Sequence, residues 1–237
     1  MKKRNITLFT AIAAAAAFAS SAQAAITISS AIVSSDHGRG VPDAGPSPKN
    51  NAALYNGVGL TGTAPNQVHD GEDANHWLSA QDGQPVDEVT IMFDLGSIND
   101  VASMKIWNFY EPYGPSINRG VKDLVITYGT TLTAGVIDSP TTVTSVTQFD
   151  QAIHPNPPHG AGSITGVTYD FDDGNNGTNN ARYILFSIAT SYGTEGGYVD
   201  GNFVGLNEVQ FTAVPEPATM SLLAIGGIAL IRRRRRA

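Results

Sequence analysis

Two tyrosines and a carboxylate crowd one short stretch, Tyr110, Glu111 and Tyr113, with Pro112 and Gly114 between them and Arg119 shortly after. A phenol ring offers a flat apolar face and a polar tip, a combination suited to a sugar ring and its hydroxyls. Arg119 can clamp Glu111 through a two-pronged ion pair and hold this loop closed, or reach a sugar hydroxyl or uronate instead. Tyr192, Tyr198 and Asp200 occupy a second, glycine-rich loop and form another candidate rim. Trp77 and Trp107 can act as stacking platforms or as core residues, and the core reading is the stronger for both. His69 and His76, seven apart with Asp73 between, could be imagined as zinc ligands, but no third histidine is near. Asp172-Asp173-Gly174-Asn175-Asn176-Gly177 lacks the alternating acids and closing Glu of a calcium loop and reads as a turn.

Catalytic signatures are missing. The chain has no Gly-x-Ser-x-Gly elbow, no phosphate-cradling glycine motif and no cysteine. A glycosidase needs two carboxylates about 5 to 10 Å apart. Many acids scattered through loops would supply such a pair by chance, so their number decides nothing.

Strands must position these loops. Ile26, Ile28 and Ile32-Val33 suggest a first strand, and 34–66 is a Gly, Pro, Asn and Asp-rich loop region without apolar period. Residues 88–95 alternate, with Val89, Ile91, Phe93 and Leu95 on one face. A turn at 96–100 leads into a strand at 101–109, with Met104 and Ile106 on one side and Lys105 and Trp107 on the other. Further strands are predicted over 121–129, weakly over 141–149, then around Val167, Tyr169 and Phe171, over 181–189, and over 204–213. In the last, Val209 and Phe211 are expected inward, Glu208 and Gln210 outward. Eight strands and no long amphipathic helix predict an all-β fold, a single antiparallel β-sandwich.

The two ends read as addresses. Lys2, Lys3 and Arg4 precede an apolar run and a small-x-small site, Ala22-Gln23-Ala24, which predicts a signal helix over 1–24 cut by signal peptidase before Ala25. At the other end come Val214-Pro215-Glu216-Pro217, 14 apolar residues from Ala218 to Ile231, and five arginines, Arg232 to Arg236. The prolines force an open, extended motif. The apolar run, as a helix, falls short of the roughly 20 residues a comfortable span needs, and the arginines stop export on the cytoplasmic side. Between these ends, 25–213 is one domain. Of 14 Lys and Arg it keeps six, and of 21 Asp and Glu it keeps 20, a net −14. Such a surface repels nucleic acid and anionic lipid and attracts divalent cations. An exported domain without disulfides must rely on its core, alone or with a bound ion.

The tail resembles the PEP-CTERM sorting signal, matching Val214-Pro215-Glu216-Pro217 residue for residue. That resemblance implies processing by an exosortase, transient residence in the inner membrane, and delivery to the cell envelope, surface or extracellular matrix of a bacterium that secretes exopolysaccharide. The domain resembles the discoidin-like, galactose-binding-type family. The resemblance is carried by Asn56-Gly57-Val58-Gly59-Leu60, His76-Trp77-Leu78-Ser79, Phe93-Asp94-Leu95-Gly96, Ile106-Trp107-Asn108-Phe109, Arg119-Gly120-Val121-Lys122-Asp123, Ala181-Arg182-Tyr183-Ile184 and Val204-Gly205-Leu206-Asn207-Glu208-Val209. It implies an eight-stranded jelly roll, glycan binding through loops at one end, and a structural calcium between an acidic loop and a Glu on the last strand, here Glu208. The loop ligands are then Asp70 and Asp73, or, in the other alignment, Asn56. The leading expectation is a non-catalytic module that binds extracellular polysaccharide. A matrix or envelope protein that contacts other proteins comes second, and a glycan-active enzyme third.

Overall fold

The computed structural model describes residues 24–34, 51–64, 66–71, 75–79, 89–110, 116–153, 163–172, 179–194 and 204–214. Ala25–Thr212 forms one compact unit, and the chain's two ends form the other. The predicted signal helix and tail helix lie outside the described residues, as do Ala22 and Pro215, Glu216 and Pro217. Ala24 and Val214 are described, both exposed.

The unit Ala25–Thr212 is an antiparallel β-sandwich. Its strands are β1 Ala25–Ile26, β2 Ser30–Ser34, β3 Leu60–Thr61, β4 Val68–His69, β5 Trp77–Leu78, β6 Thr90–Asn108, β7 Leu124–Gly129, β8 Leu132–Thr133, β9 Val136–Ile137, β10 Thr141–Thr142, β11 Ile164–Thr165, β12 Val167–Asp170, β13 Asn180–Ile188 and β14 Gly205–Ala213. One layer runs β2, β6, β13, β7, β10; the other holds β1, β14, β6 and β12, with β5 on β14. β3, β4 and β11 make a small third sheet, and β8 and β9 a hairpin.

β6 belongs to both layers. Its first half pairs with β2 and β13, its second half with β12. The turn expected at 96–100 is instead an irregularity within one 19-residue strand. β13 shifts register between Ala181 and Tyr183, where its partners jump from Asn99 to Asp94. The displaced residues bulge around Gly96, whose φ of 73° suits glycine, and its N–H donates to Asp94 Oδ1 at 2.8 Å. A bulge lets a strand turn the corner between two packed sheets without losing its pairing on either side.

Phenylalanines fill the space between the layers. Phe93 meets Phe186 and Phe211 edge to face at 5.2 and 5.6 Å, and Phe149 meets Phe186 at 5.6 Å. Two further expectations shift. The weak strand over 141–149 shrinks to Thr141–Thr142, and the buried residues beyond it, Val143, Val146 and Phe149, are three apart, not the two of a strand. The loop region over 34–66 carries a 3₁₀ turn, Asn51–Leu54, that plugs Ala53 and Leu54 into the core, followed by β3.

Candidate functional site

At one end of the sandwich β6 finishes, β14 begins, and several loops converge. β14 explains how. Val204 and Leu206 join the main core, and so do Val209 and Phe211. The alternation therefore slips by one residue at Asn207-Glu208, and both polar side chains are buried. Glu208, expected outward by counting back from Phe211, is only 1% exposed.

Asn207 fastens three segments. Its Oδ1 accepts the Tyr110 N–H at 3.0 Å, and its Nδ2 donates to Tyr110 O and to His69 Nδ1, both at 3.1 Å. The Gly71 N–H donates to the same His69 nitrogen at 3.0 Å. With Nδ1 accepting, the His69 proton sits on Nε2, and burial pushes the imidazole below its ordinary range, so it is neutral. Asn108 acts in the same way at the neighbouring strand end. Its Nδ2 donates to Val121 O at 2.7 Å and to Asp150 O at 2.8 Å, while its Oδ1 accepts the Phe109 N–H. Two buried amides thus satisfy the backbone where strands give way to loops, and they fix those loops on a rigid base. Sequence reasoning missed both. The available signal was an Asn inside an otherwise apolar strand end, in Trp107-Asn108-Phe109 and Leu206-Asn207.

Glu208 faces the turn that follows the Asn51–Leu54 helix. The Gly57 N–H donates to both of its carboxylate oxygens at 3.2 Å. Burial pushes the Glu208 carboxyl up to about 8, and the Gly57 hydrogen bond only partly offsets that. Among the described residues the calcium set expected here is not assembled. Asp70 is held by the Asn75 amide, at 3.2 and 3.1 Å, and Asn56 Oδ1 accepts the Val58 N–H at 2.9 Å. Asp73 lies outside the described residues. Among the described residues no group of three or more His, Cys, Asp or Glu side chains could hold a metal ion. A lone buried carboxylate does not supply the six to eight oxygens calcium takes, so no role is derived for the ion. His69 and His76 are both buried; His76 stands edge-on to Phe109 at 4.7 Å, a packing role in place of the imagined zinc site.

The aromatic candidates separate. Tyr110 is fully buried with Trp107 and Ile164 in a second small core, so it braces its loop from beneath and offers no face to a ligand. Trp107 fills that second layer, as its position opposite Ile106 implied, and Trp77 belongs to the main core. Glu111, Tyr113, Tyr198 and Asp200 lie outside the described residues. Arg119 and Tyr192 are brought together. Arg119 ends the 3₁₀ turn Ser116–Arg119, which packs against the 3₁₀ turn Tyr192–Thr194. The Tyr192 ring is half-buried and tethered, its hydroxyl donating to Phe149 O at 2.6 Å, with Lys122 Nζ 6.0 Å from the ring centroid. Lys122 is a neighbour that the sequence did not single out. Amides from Asn118 and Gln151 close the same rim, hydrogen-bonded at 3.0 Å.

Fold and site together define an all-β, loop-bearing sandwich with a buried polar base. The PEP-CTERM protein-sorting motif matches residues 213–236, a tail that directs export and sorting to the cell envelope. No curated protein matches the chain. Among solved structures, a truncated AlyQ with a family 32 carbohydrate-binding module and an alginate lyase domain is similar over 83% of this chain, at 16% identity and a TM-score of 0.47. This chain covers 34% of that one, about a third of its length. The AlyQ module alone, in complex with 4,5-unsaturated mannuronic acid, is similar over 79% of this chain and 97% of its own, at 14% identity and a TM-score of 0.42. The family 32 module of Clostridium perfringens NanJ, in complex with galactose, is similar over 80% and 98%, at 14% identity and a TM-score of 0.45.

Proposed function

We propose that this chain is an exported, envelope-sorted, non-catalytic module that holds extracellular polysaccharide at the rim formed by Arg119, Lys122 and Tyr192. The carrying observation is the packing of the Ser116–Arg119 turn against the Tyr192–Thr194 turn. The turn that carries Arg119 lies against the turn that carries the tethered Tyr192 ring, Lys122 Nζ is 6.0 Å from that ring's centroid, and the buried Asn108 anchors the neighbouring loops. The ring gives an apolar face for a sugar, and the cations give donors for hydroxyls or a uronate. Exosortase and signal peptidase are its processing partners in this reading. Among the described residues the one buried carboxylate at this end, Glu208, is sealed under Gly57, which suits structure better than acid catalysis on a solvent-borne glycan.

Affinity electrophoresis through gels containing the host's exopolysaccharide tests the reading. The wild type is retarded, and Arg119→Ala with Lys122→Ala weakens the dissociation constant by roughly tenfold or more, the equivalent of about 1.4 kcal/mol. Equal mobility of wild type with and without glycan, across several glycans, would remove the proposal.

A second reading, a matrix protein that binds other proteins, is favoured by the outer face of the first layer. Ile32, Met92 and Leu185 lie side by side across β2, β6 and β13, and Ile32 and nearby Val125 are 56% and 51% exposed. Under that reading Ile32→Lys abolishes concentration-dependent self-association in light scattering and leaves glycan mobility untouched.

A further inference from the structure

The end of the sandwich remote from Arg119, Lys122 and Tyr192 takes no part in the glycan reading. There β14 runs out at Ala213, with Thr212 paired to Ala25 and its hydroxyl hydrogen-bonded to that of Ser103 on β6. Two excursions of the chain leave the sheet at this end. Residues 95–98 of β6 have no partner on β13, whose Ala181 pairs with Asn99 and whose Tyr183 pairs with Asp94. The second excursion is the β8–β9 hairpin, which starts three residues past Gly129, the last residue of β7 and another partner of Tyr183. Its tip holds Ala134 and Gly135 at φ 52° and 82°, a left-handed pair that costs an alanine free energy. Each excursion presents one large apolar side chain to solvent. Ile98 is 57% exposed and Val136 68%, while the hairpin's other aliphatic, Ile137, is buried. The two excursions leave on either side of β13, whose neighbouring strands lie about 4.8 Å away.

We propose that this end of the domain is a seat on a zwitterionic phospholipid surface, with Ile98 and Val136 set among the headgroups. The occupant follows from the length of chain beyond β14. Only Val214 to Pro217 separate Ala213 from the 14-residue apolar run that starts at Ala218. An extended chain covers at most about 3.6 Å per residue, so five steps reach about 18 Å. While that run lies in a membrane, this end of the sandwich cannot move farther than that from the apolar layer. Apolar side chains held so close gain by entering the boundary between headgroups and acyl chains. Charge selects the lipid. Among the described residues the cation here, Arg182, is engaged by Asp94 at 3.1 Å, and Asp100 and Asp138 add negative charge. Such a surface repels anionic headgroups and tolerates those without net charge.

The chain has no cysteine, so single ones serve as clean labelling sites. Ile98→Cys, Val136→Cys and Ile153→Cys are made in the full chain, tail included, and each carries a fluorophore. Ile153 is the reference, 85% exposed and two residues past Gln151 at the rim end. The labelled proteins are mixed with phosphatidylcholine vesicles that contain, or lack, a nitroxide on the headgroup. All three are expected to float with the vesicles. Labels at 98 and 136 lose most of their fluorescence to the nitroxide lipid, and the label at 153 keeps its own. Phosphatidylglycerol in place of phosphatidylcholine weakens the quenching at 98 and 136. A chain that does not float, quenching at 98 and 136 no greater than at 153, or stronger quenching in phosphatidylglycerol overturns the proposal.

Discussion

Glu208→Gln is expected to flatten the pH dependence of stability and to make the protein more stable than wild type in alkaline buffer. The carboxyl of an unfolded chain titrates near 4.5, and in the fold it is pushed up to about 8. A folded value above the unfolded one means that the native state holds a proton the unfolded state has released. Stability from this group is therefore complete below about pH 4.5, falls as the pH rises toward about 8, and levels off beyond. Each unit of difference is worth about 1.4 kcal/mol, so the loss across the window is on the order of a few kcal/mol. That is a large share of the 5 to 15 kcal/mol or so by which a domain is stable. Glutamine is neutral at every pH and keeps an oxygen for the Gly57 N–H. Urea unfolding midpoints measured across the window decide the matter. A wild-type slope that survives unchanged in Glu208→Gln would mean that Glu208 is not its source.

Asn207→Leu is expected to be the most damaging single change at this end of the molecule. It matches the original in size, yet it strips partners from the Tyr110 N–H and carbonyl in a fully buried setting, and leaves His69 Nδ1 with the Gly71 N–H as its remaining donor. An unsatisfied buried polar group costs about 1 to 3 kcal/mol. Two of them together cost several kcal/mol, enough to lower the melting midpoint by roughly ten degrees at typical unfolding entropies. Asn207→Asp separates polarity from charge, since it keeps the acceptor for the Tyr110 N–H and loses the donor for Tyr110 O and His69 Nδ1. Asn207→Leu unfolding at the wild-type midpoint would show that the network adds nothing to stability.

Much of the sandwich could be read from alternation, because a strand buried on one face announces itself with period two. Val89, Ile91 and Phe93, and Val209 and Phe211, are inward as counted. Reading failed where pairing overrides local rhythm. Gly96 looks like a turn residue, and only the pairing of β6 with β13 on both sides of it turns that signal into a bulge. In β14 two correct alternations, one from Leu206 and one from Phe211, disagree at Glu208; the slip between them was legible but needed both counted together. Tyr110 shows the limit for sites. Its place after a strand suited a ligand rim, but whether a ring at a strand end faces out or in depends on the third sheet, whose strands are two residues long and carry almost no pattern. Arg119 and Tyr192 were each singled out, whereas their adjacency and the contribution of Lys122 depend on turns some 70 residues apart.

β14 also sets a polarity for the whole domain. Gly205 lies beside Gly120 among the loops, and seven residues later Thr212 pairs with Ala25 at the far margin. At roughly 3.3 Å per residue the two poles are about 23 Å apart. Entry and exit of the chain therefore share one pole, while Arg119, Lys122 and Tyr192 crown the opposite one. Any ligand held at that crown is therefore met at the pole remote from Ala25 and Thr212.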